Sequence, residues 1–334
     1  MNKVRFTFAC LPYIHMYPLL YGAVAPEGVD LNFIPMEAVE EIFWRQLKHE
    51  EFDGAEMSLS SYTMARARGD ERFVAIPVFT LRIFRHSCAY INTRKGIERP
   101  SDLAGKTIGV PEYQMTSTVW LRGMLQHEYG VLPSQIRWRA GGQEIPGREE
   151  KLTLKLPPDI DYQPIPQDRT LSGMLDSGEL DGLFTGSRAP SCFIKSPHVK
   201  RLFENFIEVE KEYYQKTSIF PIMHTVVLKR SIYEENRWLA MSLFKAFLKS
   251  KNMVLEKMRQ TGGVPFYSIL LPWGVSEAER TRAILGDDWW PYGLEKNRVS
   301  VDALCKYSFE QGLSARRVTP EELFAPETLD EFKI

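Results

Sequence analysis

Arginines, histidines and hydroxyls fall at positions along the chain where they can bind an anion and move a proton. His15 follows the strand-like run VRFTFAC (4–10), at the end of a strand where open α/β sheets place ligands. Arg82, Arg85 and His86 crowd together in TLRIFRH (80–86), just ahead of a short strand. Arg188 follows another strand, GLFTG (182–186), and His224 lies inside IMHTVVLKR (222–230). Glu56 stands near the end of FDGAEMS (52–58). Gln114 sits in a polar loop, and Thr116 and Ser117 stand where a helix N-cap belongs. Guanidinium forks clamp carboxylates, helix starts favour anions, and imidazoles exchange protons near neutral pH. Each residue also has a plainer role open to it. His86 and His224 can be buried, hydrogen-bonded residues, Arg85 can pair with an acid across a hinge, and Glu56 can cap a neighbouring helix. No HxH or HExxH spacing occurs, so no metal is expected.

The elements that must position these residues centre on 105–130, GKTIGVPEYQMTSTVWLRGMLQHEYG. KTIGV is short and β-branched, as in a strand buried on both faces. Trp120, Leu121, Met124, Leu125 and Tyr129 then recur at helical spacing, and Gly130 marks the stop. Before this unit, strands at 4–10, 30–36, 52–58 and 73–79 alternate with helices, a βαβαβαβ rhythm that predicts a parallel sheet. Residues 86–93 read as a crossing into a second domain and 222–230 as the return. Residues 141–166, rich in Gly, Pro and charge, read as an exposed excursion. The C-terminal third is helical and is expected to return to the first lobe. It is interrupted by DDWWPYG (287–293), whose Trp289 and Trp290 can line a cleft or pack lobes together.

Composition narrows the class. The chain has 334 residues, enough for two cores, with 44% hydrophobic and 25% charged residues, as in ordinary globular proteins. A net charge of −1 gives no reason to expect nucleic acid or an anionic membrane as a partner. The four cysteines lie far apart without CxxC, which predicts free thiols. MNKVRFTFAC enters strand-like alternation directly, with no apolar leader, so a cytoplasmic protein is expected.

Two α/β lobes, two crossings and a helical C-terminal third describe a two-lobed type II periplasmic-binding-protein-like fold, with its ligand in the cleft between lobes. The expected division is 1–88 with 223–334 for lobe 1 and 89–222 for lobe 2. The segments FRHSCAYIN, DLAGKTIGVPEYQMTSTVWLRGMLQHEYGV and YSFEQGL with PEELF together resemble the 4,5-dihydroxyphthalate decarboxylase family, over nearly the whole length. That resemblance implies the solute-binding-protein fold and a cofactor-independent decarboxylation. Its substrate would be a hydroxylated aromatic acid, with 4,5-dihydroxyphthalate giving 3,4-dihydroxybenzoate (protocatechuate) and CO2 as the model reaction. The chain's own candidates for that chemistry, at loop positions facing the expected cleft, are Arg82, Arg85 and Arg188 to clamp carboxylates, and Gln114, Thr116 and Ser117 to hold one at the helix start. His15, His86 or His224 delivers the proton, with His15 and His86 preferred, and Glu56 accepts a phenol hydrogen. The partner is then a small aromatic carboxylate, and self-association stays open. A non-catalytic binding protein for a small carboxylate is the competing reading.

Overall fold

The computed structural model describes residues 3–186, 188–260 and 272–329. The first lobe is built on β1 (Val4–Cys10), β2 (Val29–Pro35), β3 (Gly54–Ser58) and β4 (Phe73–Arg82). The second holds β5 (Ala89–Asn92), β6 (Thr107–Val110), β7 (Arg137–Ala140), β8 (Tyr162–Pro164), β9 (Gly182–Phe184) and β10 (Val199–Arg201). The chain then returns to the first sheet as β11 (Ile222–Lys229). The sheet orders are β2-β1-β3-β11-β4 and β10-β5-β9-β6-β7-β8.

β1 pairs in parallel with β2 and β3, as the alternation of strands and helices predicts. The expectation of a continuous parallel sheet fails at β4, because β11 inserts between β3 and β4 and runs antiparallel to both. β11 is apolar along almost its whole length and buried on both faces, so it takes a central place and displaces β4 outward. The register sets His224 opposite Ser58 and Val226 opposite Glu56.

Two further expectations change. The stretch 141–166 is not a free excursion: β8 pairs in parallel with β7, and Leu152, Leu154, Leu156 and Ile160 pack against the main core. Nor do Thr116, Ser117 and Thr118 cap the helix Thr116–Tyr129 from outside. Met115 is its N-cap, with no side-chain bond, and the three hydroxyl residues fill the first turn. Thr118 Oγ1 donates to the Met115 carbonyl at 2.8 Å. The helix ends as expected, at Gly130 with φ 70°, where a side chain would be strained.

Trp120 is fully buried and donates Nε1–H to the Ile222 carbonyl at 2.9 Å, tying this helix to β11. The helix Trp238–Gln260 packs on the first lobe, but Arg298–Glu310 also lies against the Thr116–Tyr129 helix. There Arg122 Nε donates to Gln311 at 2.9 Å, and Gln311 Nε2 donates to the Val119 carbonyl at 2.9 Å. The C-terminal third thus also touches the second lobe's Thr116–Tyr129 helix. Trp290 donates to the Phe79 carbonyl at 2.9 Å and meets Phe220 edge-on, so it packs elements together instead of lining a cleft. The four cysteines are free and buried, as expected. Among the described residues no helix is long and apolar enough to cross a membrane.

Gly123 faces the Tyr307 ring so closely that a Cβ there would overlap it. Alanine in place of a helix-interior glycine ordinarily stabilises by about 0.5–1 kcal/mol. Here Gly123→Ala is expected to destabilise instead, by about 1–3 kcal/mol as overpacking does. Urea unfolding of the two proteins checks the sign.

Candidate active site

Two helix starts, one from each lobe, meet across the cleft. Ser58 ends β3 and caps the helix Leu59–Ala67, accepting from Ser61 N–H at 3.3 Å. Thr116 Oγ1 lies 2.9 Å from Ser58 Oγ and accepts from Ser60 N–H at 3.2 Å. Ser61 Oγ donates to Gln114 Oε1 at 3.4 Å, and Gln114 Nε2 donates to the Leu152 carbonyl at 3.0 Å. The loop N–H groups of Tyr113 and Gln114 are already taken by the Glu150 carboxylate. The N–H groups of Thr116 and Ser117, one turn later, make no backbone hydrogen bond among the described residues. Ser117 Oγ is buried and also without a partner.

Thr116 and Ser117 line a cavity together with Ser58, Glu40, Arg85, His224, Arg148 and Lys151, closed on its apolar side by Phe43, Leu81, Met115 and Met223, while Gln114 lies outside this lining. Arg85 is 3% exposed. It donates Nη1–H to the Gly186 carbonyl at 2.6 Å and Nε–H to Met223 Sδ at 3.0 Å. No carboxylate among the described residues pairs with it, and burial pulls its pKa below the usual arginine value. A cation held out of water without an anion is costly, so this wall favours an incoming carboxylate.

His224 presents the other chemistry. Its Nδ1 lies 2.7 Å from Glu56 Oε1, and its ring meets Phe43 edge-on at 4.9 Å. Glu56 is wholly buried behind it. Oε1 also accepts from Tyr13 OH at 2.7 Å and Thr80 Oγ1 at 2.8 Å, and Oε2 accepts from Leu11 N–H at 3.2 Å and the Cys10 thiol at 3.4 Å. Burial alone would raise the Glu56 pKa. The His224 hydrogen bond and charge, with the Tyr13 and Leu11 donors, outweigh it and hold the carboxyl below its ordinary range. Glu56 therefore orients His224 with Nδ1–H toward itself and leaves Nε2 for the cavity.

No family model matches the sequence. A 4,5-dihydroxyphthalate decarboxylase of Comamonas testosteroni is 42% identical over 335 residues, covering 100% of both chains. The chain belongs to the 4,5-dihydroxyphthalate decarboxylase family. A protein of the same name from Pseudomonas putida is 44% identical over 219 residues, 65% of this chain and 84% of that one. Among solved structures, the periplasmic aliphatic sulphonate binding protein of Escherichia coli aligns with TM-score 0.54 and 12% identity, over 98% of this chain and 99% of that one. The ligand-binding component of an ABC-type import system from Staphylococcus aureus aligns with TM-score 0.54 and 11% identity, over 98% of each. The fold of this family member is the two-lobed periplasmic-binding-protein-like α/β fold.

The remaining candidates from the sequence lie off the cavity wall. His15 is partly buried beside Tyr13 and Trp290, with Nε2 out of solvent and unpartnered, and desolvation lowers its pKa to about 4. His86 is packed against Phe203 and Tyr213, 3.8 Å from Glu210, and burial lowers it to about 4 as well. Arg82 donates to Asn297 at 2.7 Å and to the Phe220 carbonyl at 2.9 Å, bracing the crossing between lobes. Arg188 is exposed, and its carbonyl accepts from Gln143 at 3.2 Å. Glu56 accepts from five protein donors and is not part of that wall. Arg148 and Lys151 were missed. The charged run Arg148-Glu149-Glu150-Lys151 inside the Gly- and Pro-rich stretch was their signal.

The desolvated neutral state of His15 has a consequence for stability. Its folded pKa of about 4 lies below the ordinary 6.5, so the unfolded chain takes up a proton that the folded one refuses as pH falls between those values. The stability advantage of the native protein over His15→Phe should therefore shrink on acidification from pH 6.5 to 4, by about 1.4 kcal/mol per unit at most. Urea titrations of both proteins at several pH values measure it, and a constant difference would contradict the desolvation.

Proposed function

We propose that this chain is a carboxy-lyase that converts 4,5-dihydroxyphthalate to 3,4-dihydroxybenzoate and CO2 in the cleft between a lobe of residues 1–88 with 223–334 and a lobe of residues 89–222. The observation that carries the reading is the His224–Glu56 pair on the cavity wall, set beside an unpaired buried Arg85 and two helix starts. Membership of a family whose named members are decarboxylases supports it.

The chemistry follows from the charges. One substrate carboxylate lies against Thr116 N–H, Ser117 N–H, Ser117 Oγ and Arg85. His224, oriented by Glu56, gives its Nε2 proton to the ring carbon that bears the departing carboxylate. The electron pair for that new C–H bond comes from the ring, pushed by the para hydroxyl as its proton leaves and its oxygen becomes a ketone. The bond to the carboxylate then breaks, its pair re-forms the aromatic ring, and the oxygen regains a proton. The net change is one proton taken up and one CO2 released. Protons and electrons balance with groups of the protein and water alone, so no cofactor is required. Buried, unpaired thiols fit a reducing compartment, and we place the reaction in the cytoplasm.

Incubation of the purified protein with 4,5-dihydroxyphthalate should release CO2 and form 3,4-dihydroxybenzoate. Saturable binding without CO2 release would instead favour a carrier of aromatic carboxylates. His224→Asn should lower kcat by about 10²–10⁴-fold with little change in substrate-analogue affinity. Arg85→Ala should act mainly on affinity, weakening it by about 2–5 kcal/mol. Near-normal turnover in His224→Asn would remove this histidine from the mechanism.

A further inference from the structure

Arg148 and Lys151 occupy a second position of consequence. Both line the inner cavity beside Thr116 and Ser117, and both also line an outer groove with Glu40 and Trp44. They stand where the groove meets the chamber. Their segment is held by Glu150, which accepts from Tyr113 N–H, Gln114 N–H and Tyr162 OH.

The donors here are not all used. Arg148 gives Nε–H and Nη2–H to Glu112 Oε1 at 2.9 and 2.6 Å, and Lys151 Nζ bonds the other oxygen of the same carboxylate. Glu112 is 2% exposed and is the one buried carboxylate that both cations share. Glu40 also lines the inner cavity, 3.9 Å from Arg148, but its side chain is half exposed and water screens it. Arg148 Nη1 makes no hydrogen bond among the described residues, and Lys151 has donors to spare. Arg85, without a carboxylate partner, lies in the same cavity. The free donors of Arg148 and Lys151 and the unpaired Arg85 thus offer two separate places for a carboxylate. A monocarboxylate would leave one of them without a partner.

We infer that Arg148 and Lys151 bind the second carboxylate of the substrate and thereby set a preference for an ortho-dicarboxylate over a monocarboxylate on the same ring. This rests on the reading of the cavity as an aromatic-carboxylate site. Phthalate and benzoate lack the hydroxyls needed for turnover, so calorimetric titration of the full chain with each measures binding alone. The native protein should bind phthalate more tightly than benzoate by about tenfold to a hundredfold, the worth of a charge-assisted hydrogen bond. Arg148→Gln and Lys151→Met should each remove most of that ratio while benzoate affinity stays within about threefold. Lys151→Arg should keep the ratio. Glu112→Gln frees both cations and should raise it, which keeps the question answerable if a cation variant does not fold. A phthalate-to-benzoate ratio that survives in both charge-removing variants, or falls in Glu112→Gln, overturns the inference alone. A native protein that binds neither acid overturns the aromatic-carboxylate reading and this inference with it.

Discussion

A single carboxylate, that of Glu56, dictates the layout of the first lobe's edge of the cleft. It lies on a central strand with no exposure, and a buried charge is tolerated only when surrounded by donors. Those donors come from the end of β1, the loop after it, β4 and β11: Cys10, Leu11, Tyr13, Thr80 and His224. Satisfying one charge thus fixes four chain segments relative to each other. Only one of the five donors, His224, also reaches the cavity, so the hub's oxygens hold a single imidazole in one orientation. His15 belongs to the same neighbourhood, but its ring is packed among Tyr13, Trp290 and Tyr292, which keeps it neutral and away from the cleft.

Across the cleft the constraint is reversed. The second lobe presents donors that the protein leaves unsatisfied: two N–H groups of the Thr116–Tyr129 helix and the Ser117 hydroxyl. A helix with ten buried residues in its first three turns cannot turn those donors to water. An anion that enters gains contacts without reorganising the site, because the helix is already braced by Trp120, Arg122 and Gln311.

The closed arrangement is held by modest forces. Ser58, Ser60 and Ser61 contact Thr116 and Gln114 through hydrogen bonds at 2.9, 3.2 and 3.4 Å. Each contributes about 0.5–1.5 kcal/mol net, and the bonds of Trp120, Arg122 and Gln311 join the halves beside them. Arg82, stacked 4.4 Å over Phe220 and bonded to Asn297, braces the point where β4 and β11 connect the halves. That role explains why an arginine near the crossing need not touch a ligand.

What was legible in the sequence is what local chemistry dictates. Strand periods, the helix at 116–129, its glycine stop and the long helix from 238 follow from side-chain spacing, which tertiary packing amplifies but does not create. The family segments likewise made the two-lobed fold readable. Of the candidate residues, Arg85, Thr116, Ser117 and His224 do converge on one cavity, while His15, His86, Arg82 and Arg188 do not. Only the three-dimensional arrangement decides between them, because all eight are polar residues near strand or helix ends. The difference lies in which long-range neighbours arrive: Glu56 for His224, Phe203 and Tyr213 for His86, Asn297 for Arg82. The insertion of β11 between β3 and β4 and the return of 148–151 to the cleft are likewise non-local. Pairing 168 residues apart and a loop folded over Glu112 leave no periodic trace in the chain.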